Sequence, residues 1–360
     1  MKISLLTNGP GELWGWARPV IMELRRRGHS ISLWLLPCPY ASGSERRVAS
    51  ELGVDKLEGP LNGFQIWSAL GQEKTDCVLQ LGGDLMFGRH IARRARAPLF
   101  SYAYAPKKGM EGARCFTAYP IMALKMPGVQ VIGDLVRDAL SLDVGATSWG
   151  QTGSRRLLLL PGSRPAIRRL SFVWLSTIVA QVKVLVPDVE IGTLFSPFMH
   201  DDEFADWRDG GLNPIRVGSG VAMKIADYAL TQPGTNTLEM MHCGLPALVV
   251  APMAFMKFIP LSGLRGMLSS LPLIGGVLHE QGIRRHLARY SGFMSWPNRV
   301  AGRMVMEEMY GDFSPQELSD SLAASLCDPD RRARLSRELL NLSGGEGAAS
   351  RLADALESTA

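Results

Sequence analysis

Residues Ala226–Pro246 read ADYALTQPGTNTLEMMHCGLP and carry the pattern that decides the fold. They predict the end of a buried strand, a turn containing Gly234, a short helix that begins near Thr235, and a second turn before the strand Ala247–Val250. A small polar loop that opens a helix directs unpaired backbone N–H groups outward, where the helix dipole favours an anion. The stretch therefore predicts either a phosphate site or an ordinary capped helix, because Ser, Thr and Asn are common N-caps.

The N-terminus shows the same alternation of strand, loop and helix. Ile3–Leu6 is a short apolar run typical of a buried strand, Trp14–Arg27 has helical spacing, and Ser30–Leu36 is the next apolar run. This order is how a doubly wound parallel sheet begins. The loop NGPGE, residues 8–12, is expected at the carboxyl end of the first strand, where such sheets bind ligands. Its glycine spacing departs from the GxGxxG fingerprint, so a ligand-free turn is equally compatible with it.

A second loop of the N-terminal half combines glycines with a carboxylate. Cys77–Leu81 predicts a buried strand, and Gly82-Gly83-Asp84 follows it directly. Asp84 is thus expected at a strand's carboxyl end, where α/β enzymes place catalytic groups, although a helix-capping Asp has the same local pattern. Further along, YAPKKG at Tyr104–Gly109 carries two lysines that either meet a phosphate or lie exposed.

The strand and helix pattern begins again after a change in composition. Residues 143–154, DVGATSWGQTGS, are rich in Gly, Ser and Thr and are typical of a linker. Arg156–Leu160 is then a predicted strand, and Ile167–Val186 a predicted helix. We therefore predict an N-terminal domain at 1–142, a C-terminal domain at 155–327 and a helical tail at 328–360. Two such domains facing a cleft form a natural nucleotide site.

Composition limits the function classes. Of the 360 residues, 46% are hydrophobic and 20% charged, which is typical of a folded protein. The excess of 39 Lys and Arg over 34 Asp and Glu is mild, and there is no interleaved aromatic pattern that would favour nucleic acid. Five scattered cysteines lack metal-ligand spacing, so we expect reduced thiols. The apolar run at the N-terminus is too short for a signal peptide, which predicts a cytoplasmic protein.

One apolar segment suggests contact with a membrane. Ala251–Val277 reads APMAFMKFIPLSGLRGMLSSLPLIGGV, and three prolines and two charged residues interrupt it. A membrane-spanning helix needs roughly 20 continuous apolar residues, which this segment lacks. Its apolar residues with cationic neighbours favour an interfacial segment, while a hydrophobic edge packed in the core is the alternative.

Four short motifs follow one another in register along the chain. Leu160–Arg164 (LPGSR) and Gly234–Glu239 (GTNTLE) resemble the LPGSR turn and the SGTxxLE helix start of one family, the lipid-A-disaccharide synthases. Pro297-Asn298, with Ala301-Gly302-Arg303 and Glu307, resembles its LPNLLAGR…E segment, and Val131-Ile132-Gly133 leading to Asp138-Ala139 is similar to its VGHPLxDA run. Their order and spacing agree from about Leu79 to the C-terminus. Several motifs in register are more specific than any one of them.

The resemblance implies the B-type glycosyltransferase architecture: an α/β protein of two Rossmann-like, doubly wound parallel-sheet domains facing a cleft. The family transfers a diacylglucosamine from a UDP donor to a monosaccharide lipid phosphate, with inversion and without a bound metal, at the membrane surface. Asp84 matches the Asp of the family's PDFN motif, which implies a catalytic base. The implied nucleotide-sugar positions are Ser163, Arg164, Gln232, Gly234, Thr235, Asn236, Thr237, Glu239, Asn298 and Arg303.

The loops expected on the acceptor side depart from the family's pattern. The family's first loop reads GExSGD, and its counterpart here contains Asn8, Gly9, Gly11 and Glu12. Ala105–Gly109 replaces the family's SPSVWAW stretch, Gly83 replaces a proline, and Leu85-Met86 replaces Phe-Asn after the Asp. The motifs of the donor half match those of the family, whereas the loops of the acceptor half differ from them. This difference allows for a different lipid acceptor.

The resemblance implies a UDP-sugar as donor substrate, a lipid-linked acceptor, no cofactor, and peripheral contact with the inner face of the membrane through 251–277. A homodimer is left open. Two other functions fit the same residues. One is a non-hydrolysing UDP-sugar 2-epimerase, which shares the architecture and acts on soluble sugars. The other is a membrane-associated nucleotide-sugar binding protein that has lost catalysis.

Overall fold

The computed structural model describes residues 1–61, 74–147, 149–150, 155–256 and 292–358. The chain divides into two compact units. Unit 1 comprises Met1–Val144, Pro197–Met199 and Gly344–Ala360, and unit 2 comprises Gly145–Ser196 and His200–Ser343. The residues predicted as a C-terminal helical tail are divided between them, because 328–343 belong to unit 2 and 344–360 to unit 1.

Unit 1 is built on a parallel sheet of seven described strands. They are β1 (Lys2–Thr7), β2 (Ser30–Leu35), β3 (Lys56–Glu58), β4 (Cys77–Leu81), β5 (Leu99–Tyr102), β6 (Arg114–Thr117) and β7 (Gln130–Val131). Their order is β3-β2-β1-β4-β5-β6-β7, and each neighbouring pair is parallel. The central strands are apolar and fully buried, as in Leu5 and Leu79, because helices cover both faces of a parallel sheet.

Helices connect the strands of unit 1. They are α1 (Pro10–Glu12), α2 (Arg18–Arg26), α3 (Glu45–Ser50), α4 (Met86–Ala95), α5 (Pro120–Ala123) and α6 (Leu135–Ser141). A π-helical turn, Leu13–Ala17, joins α1 to α2, so the predicted first helix begins directly in the NGPGE loop. The last helix of the chain, Ala348–Glu357, packs on α2, where Arg27 donates to Asp354 (2.7 Å) and Glu357 (2.8 Å).

Unit 2 repeats this architecture. Its strands are β8 (Arg155–Leu160), β9 (Val189–Leu194), β10 (Pro214–Ile215), β11 (Tyr228–Thr231), β12 (Ala247–Pro252) and β13 (Glu307–Gly311), in the order β10-β9-β8-β11-β12-β13. Every neighbouring pair is again parallel. The predicted arrangement of two Rossmann-like parallel-sheet domains is therefore confirmed.

The described helices of unit 2 follow its strands in the same alternation. They are α7 (Pro165–Leu185), α8 (Asp201–Asp209), α9 (Ser219–Ile225), α10 (Asn236–Cys243), α11 (Met253–Met256), α12 (Trp296–Ala301), α13 (Pro315–Cys327) and α14 (Pro329–Leu342); the helix Ala348–Glu357 of unit 1 is then α15. The sequence pattern did not predict strand β13, which follows α12 along the chain. Gly302, with φ 67°, ends α12 in a left-handed C-cap that frees the chain for this edge strand.

Each sheet has one point at which the strand order reverses. In unit 1 it lies between β1 and β4, and in unit 2 between β8 and β11. Ligands of doubly wound sheets bind at this switch point, outside the carboxyl ends of the strands, because the loops diverge there to opposite faces. A ligand site is therefore expected at the switch point of each unit.

The segment predicted to contact a membrane is only partly described. Its first residues form the end of β12 and helix α11, and residues 257–277 lie outside the described residues. Among the helices that are described, none combines the length and the apolar character that crossing a membrane requires. Membrane contact through 251–277 stays a prediction.

Candidate functional site

The unit 2 switch point is formed by the turn before α10. Pro233 and Gly234 are exposed at the carboxyl end of β11, and α10 begins at Asn236. Thr237 Oγ1 donates to the Gly234 carbonyl (2.8 Å), and Asn236 Nδ2 donates to Thr231 Oγ1 (2.6 Å). These bonds hold the turn from inside and leave its exposed edge available to a ligand.

The LPGSR turn lies beside it, at the carboxyl end of β8. Gln232 Nε2 donates to the Pro161 carbonyl (3.4 Å) and to Ser171 Oγ (3.1 Å), which joins the β8 and β11 loops. Ser163 and Arg164 are half-buried, and Arg164 is the N-cap residue of α7. The two sequence motifs at these positions are therefore neighbours across the strand reversal.

A buried arginine positions the LPGSR turn. Arg168 is 1% exposed, donates to the Ser163 carbonyl, and pairs with Glu203 through Nε (2.8 Å) and Nη2. Burial alone would raise the pKa of Glu203, but the hydrogen bond and the charge of the Arg168 guanidinium, with a smaller contribution from His200, outweigh it, so that the pKa is lowered. Sequence analysis missed this residue, although the pair of arginines at the start of a long apolar helix was a visible signal.

The start of α12 is the third segment at this switch point. The Trp296 backbone N–H donates to Thr237 Oγ1 (3.2 Å), which connects α12 to the first turn of α10. Glu239 lies half-buried in that same turn. The structure thus brings together the predicted residues of the LPGSR turn, the α10 turn and the first part of the α12 segment.

Asn298 is fully buried and has a structural role in α12. Its Nδ2 donates to Met306 O and Glu308 Oε1, both at 2.7 Å, and its Oδ1 accepts from the backbone of Val305 (2.7 Å) and Met306 (2.8 Å). These bonds fix the approach to β13. A nucleotide contact by Asn298 stays a prediction, and it requires one of these bonds to open.

Arg303 lies on the exposed chain between α12 and β13. Its side chain is 61% exposed, and Nη1 pairs with Glu338 Oε2 of α14 at 2.7 Å. The guanidinium is therefore engaged at the surface with α14, and contact with a nucleotide stays a prediction for this residue too.

The unit 1 switch point joins the NGPGE loop to the Gly82–Asp84 turn. Gly82 and Gly83 have φ of 87° and 68°, which favours glycine over any other residue. A Cβ on Gly82 would lie 2.6 Å from Asn8 Oδ1 and 2.8 Å from Glu12 Cγ. Within the first loop, a Cβ on Gly9, which has φ 31°, would lie 2.9 Å from Glu12 Oε2. The two loops are thus packed in direct contact.

Asp84 is exposed at the end of this turn. One carboxylate oxygen, Oδ1, accepts the backbone N–H of Met86 (2.9 Å), the first residue of α4, while Leu85 occupies the N-cap position. Below it, buried Gln80 donates to the carbonyls of Gly82 (2.9 Å) and Asp84 (2.8 Å). An exposed carboxylate on a turn braced in this way can also accept a proton from a substrate.

Lys107 and Glu12 add two charged groups that sequence analysis left without an assigned interaction. Lys107 Nζ donates to the Gly83 carbonyl (2.8 Å) from the loop that follows β5. Burial lowers the pKa of Lys107, while the charges of Glu12 and Asp84 oppose this. Burial raises the pKa of the Glu12 carboxyl, opposed by its own backbone N–H and by Lys107.

Comparison with known proteins identifies relatives of part of this chain. No protein-family model matches it. A lipid-A-disaccharide synthase of Trichlorobacter lovleyi is 30% identical over 135 residues, which is 35% of this chain and 34% of that protein. One of Syntrophus aciditrophicus is 30% identical over 206 residues, or 54% of this chain and 47% of that protein.

The chain resembles lipid-A-disaccharide synthases. This bears out the resemblance predicted from the four motifs. The matched stretches span about a third and about half of the length of these two curated relatives.

Solved structures share the whole fold at low sequence identity. A putative UDP-N-acetylglucosamine 2-epimerase from Listeria monocytogenes has a TM-score of 0.65 at 12% identity, with 100% of this chain and 96% of that chain covered. The calicheamicin glycosyltransferase CalG4 has a TM-score of 0.58 at 14% identity, covering 99% and 97%. The UDP-GlcNAc 2-epimerase of Neisseria meningitidis, solved with UDP-GlcNAc bound, has a TM-score of 0.56 at 13% identity, covering 100% of both chains. These likenesses show the B-type glycosyltransferase fold.

Proposed function

We propose that the protein is an inverting glycosyltransferase that moves a sugar from a UDP donor to a lipid-linked acceptor. The observation that carries the proposal is the joining of three sequence motifs at the unit 2 switch point. Gln232 links the LPGSR turn to the turn before α10, and Thr237 links that turn to α12. All three resemble the donor half of lipid-A-disaccharide synthases, which are also the curated relatives of the chain.

The donor diphosphate would bind at the amino end of α10. The backbone N–H groups of its first turn and the helix dipole favour a negative charge there. Arg164, which precedes α7 at the neighbouring strand, supplies a planar fork suited to phosphate oxygens. Glu239 in the first turn can accept hydrogen bonds from ribose hydroxyls. Charge supplied by these protein groups supports leaving-group departure without a bound metal.

The proposed reaction is a direct displacement at the anomeric carbon of the donor sugar. The acceptor hydroxyl oxygen forms the new bond to this carbon while the bond from the carbon to the UDP oxygen breaks, and the bonding pair leaves with UDP. The acceptor proton passes to Asp84, whose carboxylate is exposed at the carboxyl end of β4. Attack from the face opposite the leaving group inverts the configuration. Preorganised donors at α10 stabilise the charge that develops on UDP.

The acceptor side supports a lipid of a different kind from that of the relatives. The first loop, the Gly82–Asp84 turn and the loop after β5 all depart from the family's pattern. We propose a lipid-linked acceptor reached from the inner face of the membrane, with 251–277 as the contacting segment and an N-acetylglucosamine-type or acylated glucosamine as the transferred sugar. A homodimer is compatible with this proposal.

A panel of donors tests the proposal. Purified protein is incubated with membranes and labelled UDP-sugars, and the lipid extract is analysed for label. Incorporation from at least one donor is the expected result, and incorporation from none would overturn the proposal. Conversion of UDP-GlcNAc to its 2-epimer in the absence of membranes would instead favour the epimerase, the function named for two of the structural neighbours. UDP binding without either reaction would favour the binding protein.

A further inference from the structure

A buried network of hydrogen bonds in unit 1 joins residues that follow four different strands. Asp134 comes after β7, is 1% exposed and is the N-cap residue of α6. Its Oδ1 accepts a hydrogen bond from the hydroxyl of Tyr104 (2.6 Å), after β5, and its Oδ2 accepts one from Tyr119 (2.9 Å), after β6. The Tyr104 hydroxyl in turn accepts Nε1–H of Trp16 (3.0 Å), in the π-helical turn that follows β1 and the NGPGE loop. One network thus connects the carboxyl ends of β1, β5, β6 and β7.

The aromatic rings around this network are enclosed and packed on each other. Trp16 is 5% exposed, and its indole meets the rings of Tyr102 and Tyr104 edge-on, with centroids 5.2 and 4.7 Å apart. The Tyr102 hydroxyl donates to the Gly133 carbonyl (3.0 Å), next to Asp134. Hydrogen bonds are directional, whereas apolar rings can pack in several ways, so a buried network whose members are paired selects one arrangement of the loops that carry it.

Two of the loops joined in this way are loops that depart from the family's pattern. Tyr104 opens the loop Tyr104–Gly109, and Trp16 lies four residues after Glu12 of the NGPGE loop. Asp134 departs from it as well. Counted back from Asp138-Ala139, it stands where the family's VGHPLxDA run has His. The carboxylate at the centre of the network and the loops that it holds therefore differ from the family together.

We propose that Tyr104 and Asp134 are positioning residues for the acceptor, which hold the NGPGE loop and the loop after β5 in the arrangement that binds it. This rests on the proposed function, in which these loops meet the acceptor. The bond from Trp16 to Tyr104 links the two loops directly, and the bond from Tyr104 to Asp134 fixes the direction of the tyrosine hydroxyl. All three side chains are buried, so they act on the acceptor through the loops.

A double-mutant cycle tests the link between the two loops. Tyr104→Phe removes the hydroxyl and keeps the ring, and Trp16→Phe removes the indole donor. With a detergent-dispersed membrane lipid extract as acceptor and the UDP-sugar that labels lipid, each variant should raise the apparent KM for lipid about tenfold, a typical coupling within one hydrogen-bond network. The apparent KM for the UDP-sugar should not change. The double variant should lose no more than Tyr104→Phe alone, because the same bond is already broken. Losses that multiply, or an equal rise in both KM values, would overturn the proposal.

Tyr228→Phe is the matched control, in unit 2. Tyr228 is fully buried and its hydroxyl donates to the Glu307 carboxylate, so this variant also removes a buried bond from a tyrosine to a carboxylate. We expect the apparent KM for lipid to stay at the wild-type value. A rise equal to that of Tyr104→Phe would show that loss of any buried tyrosine hydroxyl is sufficient, and would overturn the positioning role.

Hydrogen exchange separates this inference from the proposed function, because it needs no turnover. Backbone amide exchange is followed by mass spectrometry in the wild type, Tyr104→Phe and Tyr228→Phe. Tyr104→Phe should speed exchange about tenfold in residues 8–17 and 104–109 together, and should leave unit 2 unchanged. If this is found and no donor labels lipid, the proposed function fails while the loop network stands. Unchanged exchange in 8–17, or an equal rise throughout the chain, overturns the inference whatever the transfer assay shows. Should Tyr104→Phe not fold, Trp16→Phe is judged by the same two segments.

Discussion

The two switch points of this protein have the same topology and different chemistry. In unit 1, a lysine and two carboxylates surround a turn of two glycines, and a buried glutamine braces it. In unit 2, the exposed turn before α10 is held by hydroxyl and amide groups, and the buried charge, Arg168, lies underneath the neighbouring loop. The strand order decides where a site can form, and the loop residues decide which chemistry such a site can support.

This difference follows from what each loop must do. Backbone N–H groups at a helix start favour a phosphate without any ionisable side chain, so the unit 2 turn can be built from Gly, Thr and Asn. A proton acceptor needs an ionisable side chain that a substrate can reach, and exposed Asp84 is the side chain that we propose for this role in unit 1. The comparison makes four predictions, from the largest expected effect to the smallest.

Asp84→Asn should have the largest effect of the four, a loss of sugar transfer. Loss of a general base lowers turnover by about 10²–10⁴-fold, while the amide oxygen of Asn can still accept the Met86 N–H. We expect transfer of labelled sugar to fall by this factor, with the Kd for UDP unchanged because the donor residues are in unit 2. Turnover that survives with UDP binding intact would show that Asp84 is not the base.

Arg168→Ala should instead damage unit 2. Removing one partner of a buried ion pair costs about 3–5 kcal/mol, and we expect the low end because the Glu203 side chain is 25% exposed. Urea unfolding should show a lower midpoint, and the Kd for UDP should rise because the Ser163 carbonyl loses its anchor. Arg169→Ala, the exposed neighbour, is the matched control and should change neither quantity. Equal effects of the two variants would contradict the buried anchor.

Two glycines that follow strands beside the two switch points allow a direct comparison of packing. Gly82 and Gly162 follow β4 and β8, with φ of 87° and 85°. Alanine at either position costs about 1–2 kcal/mol for the left-handed backbone. Only Gly82→Ala also meets atoms closer than 3 Å, whereas a Cβ on Gly162 would lie 3.8 Å from Gln232 Oε1.

We therefore expect Gly82→Ala to lower the free energy of unfolding by about 1–3 kcal/mol more than Gly162→Ala, measured by urea denaturation. Gly28→Ala is the control for the cost of placing alanine in a left-handed backbone conformation within unit 1. The φ of Gly28 is 81°, and a Cβ there would meet no atom within 4 Å. If Gly82→Ala costs no more than Gly28→Ala, the two loops of the unit 1 switch point are not tightly packed.

The smallest effect concerns acid stability of unit 1. A hydrogen bond from Arg26 is the main cause that lowers the pKa of Glu23 from 4.5 to about 2. Burial opposes this effect, and a hydrogen bond from Arg27 adds to it. A lowered carboxyl pKa contributes stability above the unfolded value, and this is lost as pH falls through about 2. Glu23→Gln should remove it, by less than about 1 kcal/mol because the pairs are near the surface. The Tm values of the wild type and Glu23→Gln should differ at pH 6 and converge as the pH falls to 2; an equal difference at both pH values would contradict the linkage.

Much of the fold was predictable because parallel strands are continuous apolar runs. Ile3–Leu6, Cys77–Leu81 and Arg156–Leu160 were recognised in this way and form the centres of the two sheets. The edge strand β13, EEMYG, was missed because it is polar and only half-buried, so it lacks the apolar signal. Its place is fixed by pairing with β12.

The candidate sites were predictable in position and incompletely in role. The motifs of the LPGSR and α10 turns were visible in the sequence, and the contact of Gln232 with Pro161 shows that they meet at one switch point. Asn298 matched a motif, yet its buried amide bonds to the chain around β13, because a side chain's partners depend on residues far along the sequence. Lys107 was visible as a loop lysine, but its contact with Gly83 spans 24 residues and no local pattern reveals it.

The sequence by itself determined two parallel α/β domains, the loops that end their central strands, and the resemblance of the donor half to lipid-A-disaccharide synthases. These follow from hydrophobic periodicity and from short motifs, which are local properties of the chain. Only the tertiary structure decided that Glu12, Asp84 and Lys107 share one turn and that Arg168 anchors another. Burial and charge proximity are set by which strands become neighbours, and that is a property of the folded sheet.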